Sequence, residues 1–329
     1  MKKTVSLLLS AVLLFALLAG CGSGQSAATQ SAAQSVEPSA AAETAYTPVT
    51  VENYGRKITV NAMPQKVVTA GPNCSELFCE LGLVDKVVGN SCDNHSRGPL
   101  PELEADYAKI PELTYGYPTL EAVVGSGCDF LFAIDWVFEG DFTIEALEQY
   151  GITVYVCDAT DYNGVWQEIE DLGKIFGVED KASEFIASEK SRIDAVTAAV
   201  ANEDTLKVFI YDSDTGSGVY TAGGPNIETK FIESAGGVNI FKDLDKAWVG
   251  VSYEEILAAE PDAIIIHDYE EASYEDNVAK LKADPILSQL KCVQDERFIK
   301  LSLESALPGS RTAYSVETIA KGLFPDKFE

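Results

Sequence analysis

One stretch of the chain, residues 162–202, decides how the rest can fold. Residues 165–176 carry apolar side chains at helical spacing, and Gly177 ends them. From Asp180 a second run continues to about Asn202 without a Gly or a Pro. Its apolar residues Ala182, Phe185, Ile186, Ile193, Val196 and Val200 fall at three-, four- and seven-residue spacings, the pattern of a one-sided helix. At 1.5 Å per residue such a helix spans about 35 Å, the diameter of a small domain. It divides everything that precedes it from everything that follows.

Both sides of this divide share one rhythm. Before it, residues 49–52 and 57–60 flank Asn53-Tyr54-Gly55-Arg56 as a β-hairpin would. Short apolar runs at 66–70, 86–90, 130–134 and 153–156 then alternate with helical segments at 75–81, 120–124 and 143–150. After the divide come a strand at 207–211, a helix at 227–235 closed by Gly236-Gly237 and a helix at 253–259. Strands at 263–267 and 297–301 and a final helix at 313–323 complete it. Apolar runs alternating with helices predict βαβ units and mainly parallel sheets. Residues 119–135 and 252–268 share one grammar: a helix, an Asp turn, an apolar strand and a polar residue at the strand's end. Two α/β halves with a single helical connector follow.

The N-terminus is read apart from the fold. Lys2 and Lys3 precede an apolar run from Val5 to Leu18, then Ala19 and Gly20, which is the layout of an export signal over residues 1–20. The run is shorter than the roughly 20 residues of a membrane span. Leu18-Ala19-Gly20-Cys21 looks like the lipobox of bacterial lipoproteins, with Cys21 as the lipidated first residue after cleavage. Residues 22–48 are rich in Ser, Ala, Gln and Thr and lack Lys and Arg, so 21–48 reads as a lipid anchor plus a tether of about 30 Å r.m.s. span. Export permits disulfides among Cys74, Cys79, Cys92, Cys128, Cys157 and Cys292; small buried hydrophobes are the other reading.

Charge and composition exclude whole classes of function. With 24 Lys+Arg against 52 Asp+Glu, a formal charge of −28, the chain repels a polyanion, so nucleic acid is not a partner. Two His and two Met leave little for a bare metal site, and no metal ligands are assigned. The sequence holds no G-x-S-x-G elbow, no phosphate-binding G-x-x-x-x-G-K-[ST] and no G-x-G-x-x-G, and no catalytic residues are assigned.

Several short pieces, in order and at consistent spacing around the long helix, carry a family resemblance. They are Gly55-Arg56-Lys57-Ile58-Thr59-Val60, Pro64-Gln65-Lys66-Val67-Val68, Ser75-Glu76-Leu77, and the run from Leu81-Gly82-Leu83 to Gly89. In the second half they are Ala235-Gly236-Gly237-Val238-Asn239, Val251 to Leu257, and Glu260-Pro261-Asp262. From Thr50 onward the chain resembles the substrate-binding proteins of iron-siderophore and cobalamin ABC importers, the helical-backbone class of periplasmic binding proteins. The resemblance implies an α/β fold of two Rossmann-like lobes with mainly parallel sheets, joined by one long α-helix, with a ligand cleft between lobes. The expected divisions are a first lobe at 49–179, a connecting helix at 180–202 and a second lobe at 203–329. It further implies a monomer, lipid-anchored on the extracytoplasmic face of the cell membrane, with an ABC permease and ATPase as partners. The ligand would be a ferric chelate (siderophore), haem or cobalamin, bound without chemistry and with small lobe closure. A lipid-anchored sensor or assembly protein of the same fold is the alternative, and an exported α/β enzyme a further one.

Ligands of open α/β sheets sit beyond the carboxyl ends of the strands, which makes the loops 71–74, 91–97, 115–117, 135–138, 211–217, 267–269 and 304–311 candidates. On them and nearby, Tyr115, Tyr117, Trp136, Tyr211, Tyr220, Trp248 and Tyr269 offer faces with a polar tip for a bulky ligand. Asn73, Asn94 and His95 join them, as do Arg97 and Arg311 for charge-assisted contacts. The resemblance also implies one exposed glutamate on each lobe that docks into the permease: Glu76, and Glu254 with Glu255 as its alternative.

Overall fold

The computed structural model describes residues 46–270 and 272–328; the leader, Cys21 and the tether to residue 45 lie outside the described residues. Tyr54 and Gly55 take φ of 53° and 68°, the left-handed pair of a tight hairpin turn joining β1 (Val49–Asn53) to β2 (Arg56–Val60). The first lobe continues with β3 (Val67–Ala70), β4 (Val87–Ser91), β5 (Glu112–Thr114), β6 (Phe130–Ile134) and β7 (Thr153–Cys157). All five are parallel, in the order β5-β4-β3-β6-β7. Strands β3 and β6 are buried along their whole length, so they carry apolar runs without alternation. The chain winds from β3 to β5 on one side, then returns to β6 and β7 on the other. Loops diverge where that order reverses, and a crevice opens between the carboxyl ends of β3 and β6.

The second lobe comprises β8 (Leu206–Tyr211), β9 (Ser213–Asp214), β10 (Gly218–Ala222), β11 (Gly237–Asn239), β12 (Trp248–Ser252), β13 (Ala263–Asp268) and β14 (Phe298–Ser302). Its parallel sheet runs β11-β8-β13-β14, with the reversal between β8 and β13. The remaining three strands form an antiparallel sheet, β12-β10-β9, beyond what alternating apolar runs had suggested. A helix at Tyr274–Ala283 is likewise additional to the sequence reading.

Two consecutive helices, Tyr162–Phe176 and Glu179–Val200, lead from the first lobe to the second. The first starts three residues before the apolar period because Asp161 accepts the Gly164 N–H at 2.9 Å and caps it. Gly177 at φ 66° makes the turn between them. Their close approach requires Gly173: a Cβ there would lie 2.8 Å from that of Ala182. Ala182, Ile186, Glu189, Ile193, Val196 and Val200 form the buried stripe of the second helix. Glu189 sits in that stripe because it accepts the N–H of Ala313 at 2.7 Å, an amide of the first turn of helix Thr312–Leu323 that has no partner within its own helix. Tyr162 Oη donates to Lys230 O at 3.1 Å and is hydrogen-bonded to Ser234 Oγ at 2.8 Å, fastening this helix pair to the second lobe.

The six described cysteines are free and buried, in agreement with the small-hydrophobe reading. Among the described residues no helix is long and apolar enough to cross a membrane.

Candidate functional site

Both crevices open into one cavity of about 220 Å³ lined by His95, Tyr117, Trp136, Asp212, Tyr220, Trp248, Tyr269, Leu303 and Leu307. Trp136 follows β6 in a single 3-10 turn, Asp135–Val137, and so stands at the reversal point of the first sheet. His95 ends the turn Asp93–His95 after β4, entered through Cys92 in the left-handed region at φ 76°. Asp212 directly follows β8, and Tyr269 follows β13, at the reversal point of the second sheet. Tyr220 and Trp248 come from β10 and β12.

These rings form a continuous wall. His95 lies 5.6 Å from Tyr117, 5.4 Å from Trp136 and 5.9 Å from Tyr269, the last stacked across the interlobe divide at 13°. Tyr117 meets Trp136 edge-on at 5.5 Å, and Tyr220 stacks on Trp248 at 5.9 Å and 12°. Flat faces with polar tips suit a large, partly polar ligand. A second, smaller space of about 70 Å³ adjoins it, sharing Trp136, Trp248 and Leu307 and adding Asp135 and Asp158. Burial raises the pKa of Asp135, opposed by backbone N–H groups; burial and then the charge of Asp135 raise that of Asp158. Among the described residues no Lys or Arg lines either space. Among the described residues no cluster of three or more His, Cys, Asp or Glu is arranged to hold a metal ion.

Six sequence candidates thus come together: His95, Tyr117, Trp136, Tyr220, Trp248 and Tyr269. Six others do not line the cavity. Tyr211 is 1% exposed and packs edge-on against Phe209 in the core on the far face of the sheet. Tyr115 is half exposed, outside the lining, and Asn94 is also outside it, bonded through its N–H to Tyr115 O. Asn73 is buried and donates its Nδ2 to Pro308 O at 2.7 Å, tying one lobe to the other.

The two arginines are engaged by carboxylates of the protein itself. Arg97 Nη2 donates to Asp268 Oδ1 and Tyr269 O, both at 2.8 Å. Arg311 Nε and Nη2 grip both oxygens of Glu76 at 2.6 and 2.8 Å. Arg311 is buried in these contacts, whereas Arg97 keeps 37% of its side chain exposed and lies outside the cavity lining. Glu76, the docking glutamate expected on the first lobe, is 1% exposed and bound by Arg311 and by the Leu100 N–H. Glu254 is exposed in the first turn of helix Tyr253–Ala259, while Glu255 is bound into a capping box with Ser252. Cys21, the expected lipidation site, lies outside the described residues.

Sequence reasoning passed over three lining residues, Leu303, Leu307 and Asp212, of which Asp212 alone carries a charge-bearing side chain. It belonged to a candidate loop, yet an aromatic criterion selected its neighbour Tyr211, which the strand's alternation turns into the core. The available signal was register. Tyr211 pairs with Ile266, so the next residues, Asp212 and His267, emerge side by side.

A family model described as periplasmic binding protein matches residues 67–303. An uncharacterised ABC transporter substrate-binding lipoprotein of Bacillus subtilis is 26% identical over the whole of both chains. A cobalamin-binding protein of Halobacterium salinarum is 30% identical over 63% of this chain, a match spanning 55% of that protein's length. The crystal structure of a periplasmic binding protein from Veillonella parvula superposes with a TM-score of 0.76 at 25% identity, covering 84% of this chain and 98% of that one.

Proposed function

The chain belongs to the periplasmic binding protein family, and on that footing we propose that it is an extracytoplasmic receptor that captures a corrinoid between its lobes and hands it to an ABC import permease and ATPase. The observation that carries the ligand class is the lining: five aromatic rings and His95, with acids and no Lys or Arg. Haem propionates and anionic siderophores would meet carboxylates there without a compensating cation, whereas an uncharged or cationic metal complex loses nothing of that kind. The name of the Halobacterium relative, a cobalamin-binding protein, adds to this reading. Cys21 carries the lipid anchor and 21–48 the tether, residues 49–179 and 203–329 act as the lobes, and 180–202 is the stiff connector. The proposed mechanism is capture and release without bond making.

Docking falls to one glutamate per lobe. Glu254 keeps the role, and Glu121 takes that of Glu76. Glu121 occupies the same position in the repeated helix–strand unit: helix Leu120–Gly125 leads to β6 as helix Tyr253–Ala259 leads to β13, with identical spacing from helix start to strand start. Both glutamates are exposed, and Thr119 and Ser252 cap the two helices alike.

Absorbance and tryptophan-fluorescence titration of the full-length chain in detergent, with cyanocobalamin, protohaem and a ferric hydroxamate in turn, tests the ligand class. Cyanocobalamin should quench Trp136 and Trp248 and bind most tightly. Saturable binding of haem or the ferric chelate, with none of cyanocobalamin, would overturn the corrinoid assignment.

A further inference from the structure

Beneath the aromatic wall lies a charged triad. His267, the penultimate residue of β13, is fully buried, with Nδ1 2.9 Å from Asp212 Oδ1 and Nε2 3.1 and 3.2 Å from the two oxygens of Glu228. An ionised carboxylate only accepts hydrogen bonds, so an imidazole between two of them must donate from both nitrogens and be an imidazolium. Burial alone works against that charge, but Glu228 and Asp212 outweigh it and lift the pKa to about 10. Glu228, itself buried, comes from the first turn of helix Ile227–Ser234, and Trp248 closes over the imidazole edge-on at 5.9 Å. Of the three, only Asp212 reaches the cavity: its side chain is 14% exposed, against 0% for the other two. Its Oδ1 faces His267 and its Oδ2 accepts from Ser213 Oγ at 2.9 Å, leaving further lone pairs on both oxygens.

Such a carboxylate differs from a surface acid in two respects. Its orientation is fixed by the buried imidazole, and it offers a hydrogen-bond acceptor to a cavity with no Lys or Arg among its described lining residues. An acceptor of that kind attracts a ligand N–H and repels a ligand carboxylate, and a site built for a donor penalises an analogue lacking it. Corrinoids differ from carboxylate-bearing tetrapyrroles at this point, because their rim carries primary carboxamides. Resting on the corrinoid-receptor reading, we propose that Asp212 reads the rim of the bound ring, accepting a hydrogen bond from a carboxamide and excluding a carboxylate, with His267 as the residue that positions it.

Two corrins sharing one ring and one metal test this: dicyanocobinamide, whose rim is amidated, and dicyanocobyrinic acid, whose rim is carboxylate. Titration of the full-length chain should give at least about tenfold tighter binding of the amide, and D212N should shrink that ratio about tenfold, mainly by admitting the acid. H267Q, checked for an intact melting transition, should move the ratio the same way. D212N is the deciding variant, because its side chain reaches the cavity and Asn keeps the shape. If the wild type binds both corrins and the ratio stays the same in D212N, the assignment to Asp212 is overturned while the receptor reading stands. If the wild type binds neither corrin, both fall together.

Discussion

Glu168 is a buried acid outside the cleft. Its Oε1 accepts the N–H groups of Asp158 and Ala159, each at 2.9 Å, and Cys157 Sγ approaches Oε2 at 3.4 Å. Burial pushes its pKa from an ordinary 4.5 to about 8, against the pull of those N–H groups. Between those two values the folded chain holds a proton that the unfolded chain has released, so stability falls as pH rises through the window. Glu189, raised to about 7 by burial, acts in the same direction. His267 contributes stability that is complete below about 6.5 and lost as pH rises through about 10. Urea midpoints should therefore decline from about pH 5 to pH 8. E168Q, which keeps an acceptor for both N–H groups, should flatten part of that decline and add roughly 1–3 kcal/mol at pH 8. An unchanged pH slope in E168Q would remove Glu168 from the account.

Two helices repeat one device at the scale of the element. Thr119 Oγ accepts the Ala122 N–H at 3.2 Å and Ser252 Oγ accepts the Glu255 N–H at 3.3 Å, and each cap leaves a glutamate, Glu121 or Glu254, exposed in the first turn. In cells with no other corrinoid receptor, E121A/E254A should cut uptake of labelled cobalamin at least about tenfold with titrated affinity unchanged, since neither residue lines the cleft. Uptake at the wild-type level would sink the docking assignment. Elements of this kind were legible in the sequence because local signals define them. Helix Tyr253–Ala259 begins after its capping Ser252 and ends before Glu260-Pro261, and strand Phe130–Ile134 coincides with its apolar run. The antiparallel sheet was not, because β9 is two residues long and β10 and β12 contain glycines that interrupt any alternation. Tyr117, Trp136 and Tyr269 followed from aromatic type at a strand's end, whereas Tyr220 and Trp248 lie within β10 and β12. The ion pairs of the arginines were not legible, because their partners, Asp268 for Arg97 and Glu76 for Arg311, lie 171 and 235 residues away in sequence.

Across the whole molecule those same pairs join the lobes. Besides Arg311–Glu76 and Arg97–Asp268, Ser96 Oγ donates to Glu304 at 2.7 Å and Arg311 Nη2 to Gly98 O at 2.7 Å. The cavity they close over, about 220 Å³, is smaller than the roughly 300–1,000 Å³ that drug-sized ligands occupy, and a corrinoid is larger than those. Loading of the proposed corrinoid would therefore part the lobes. A connector of packed helices resists bending, so the barrier to opening resides mainly in the side-chain latches. The Glu76–Arg311 pair is the most buried of them, at 1% and 5% side-chain exposure. Removing one partner leaves a buried charge alone, at about 3–5 kcal/mol, whereas replacing both with apolar side chains of similar volume is near neutral. R311M alone should melt well below the wild type. E76M/R311M should melt close to it, yet take up cobalamin faster, with an association rate about tenfold higher in stopped-flow fluorescence because the population of open chains rises. Dissociation should quicken too, as the latch no longer holds the loaded cleft closed. If the double variant associates at the wild-type rate, the latch is a structural tie only, and the opening step must be sought in Asn73–Pro308 or Arg97–Asp268 instead.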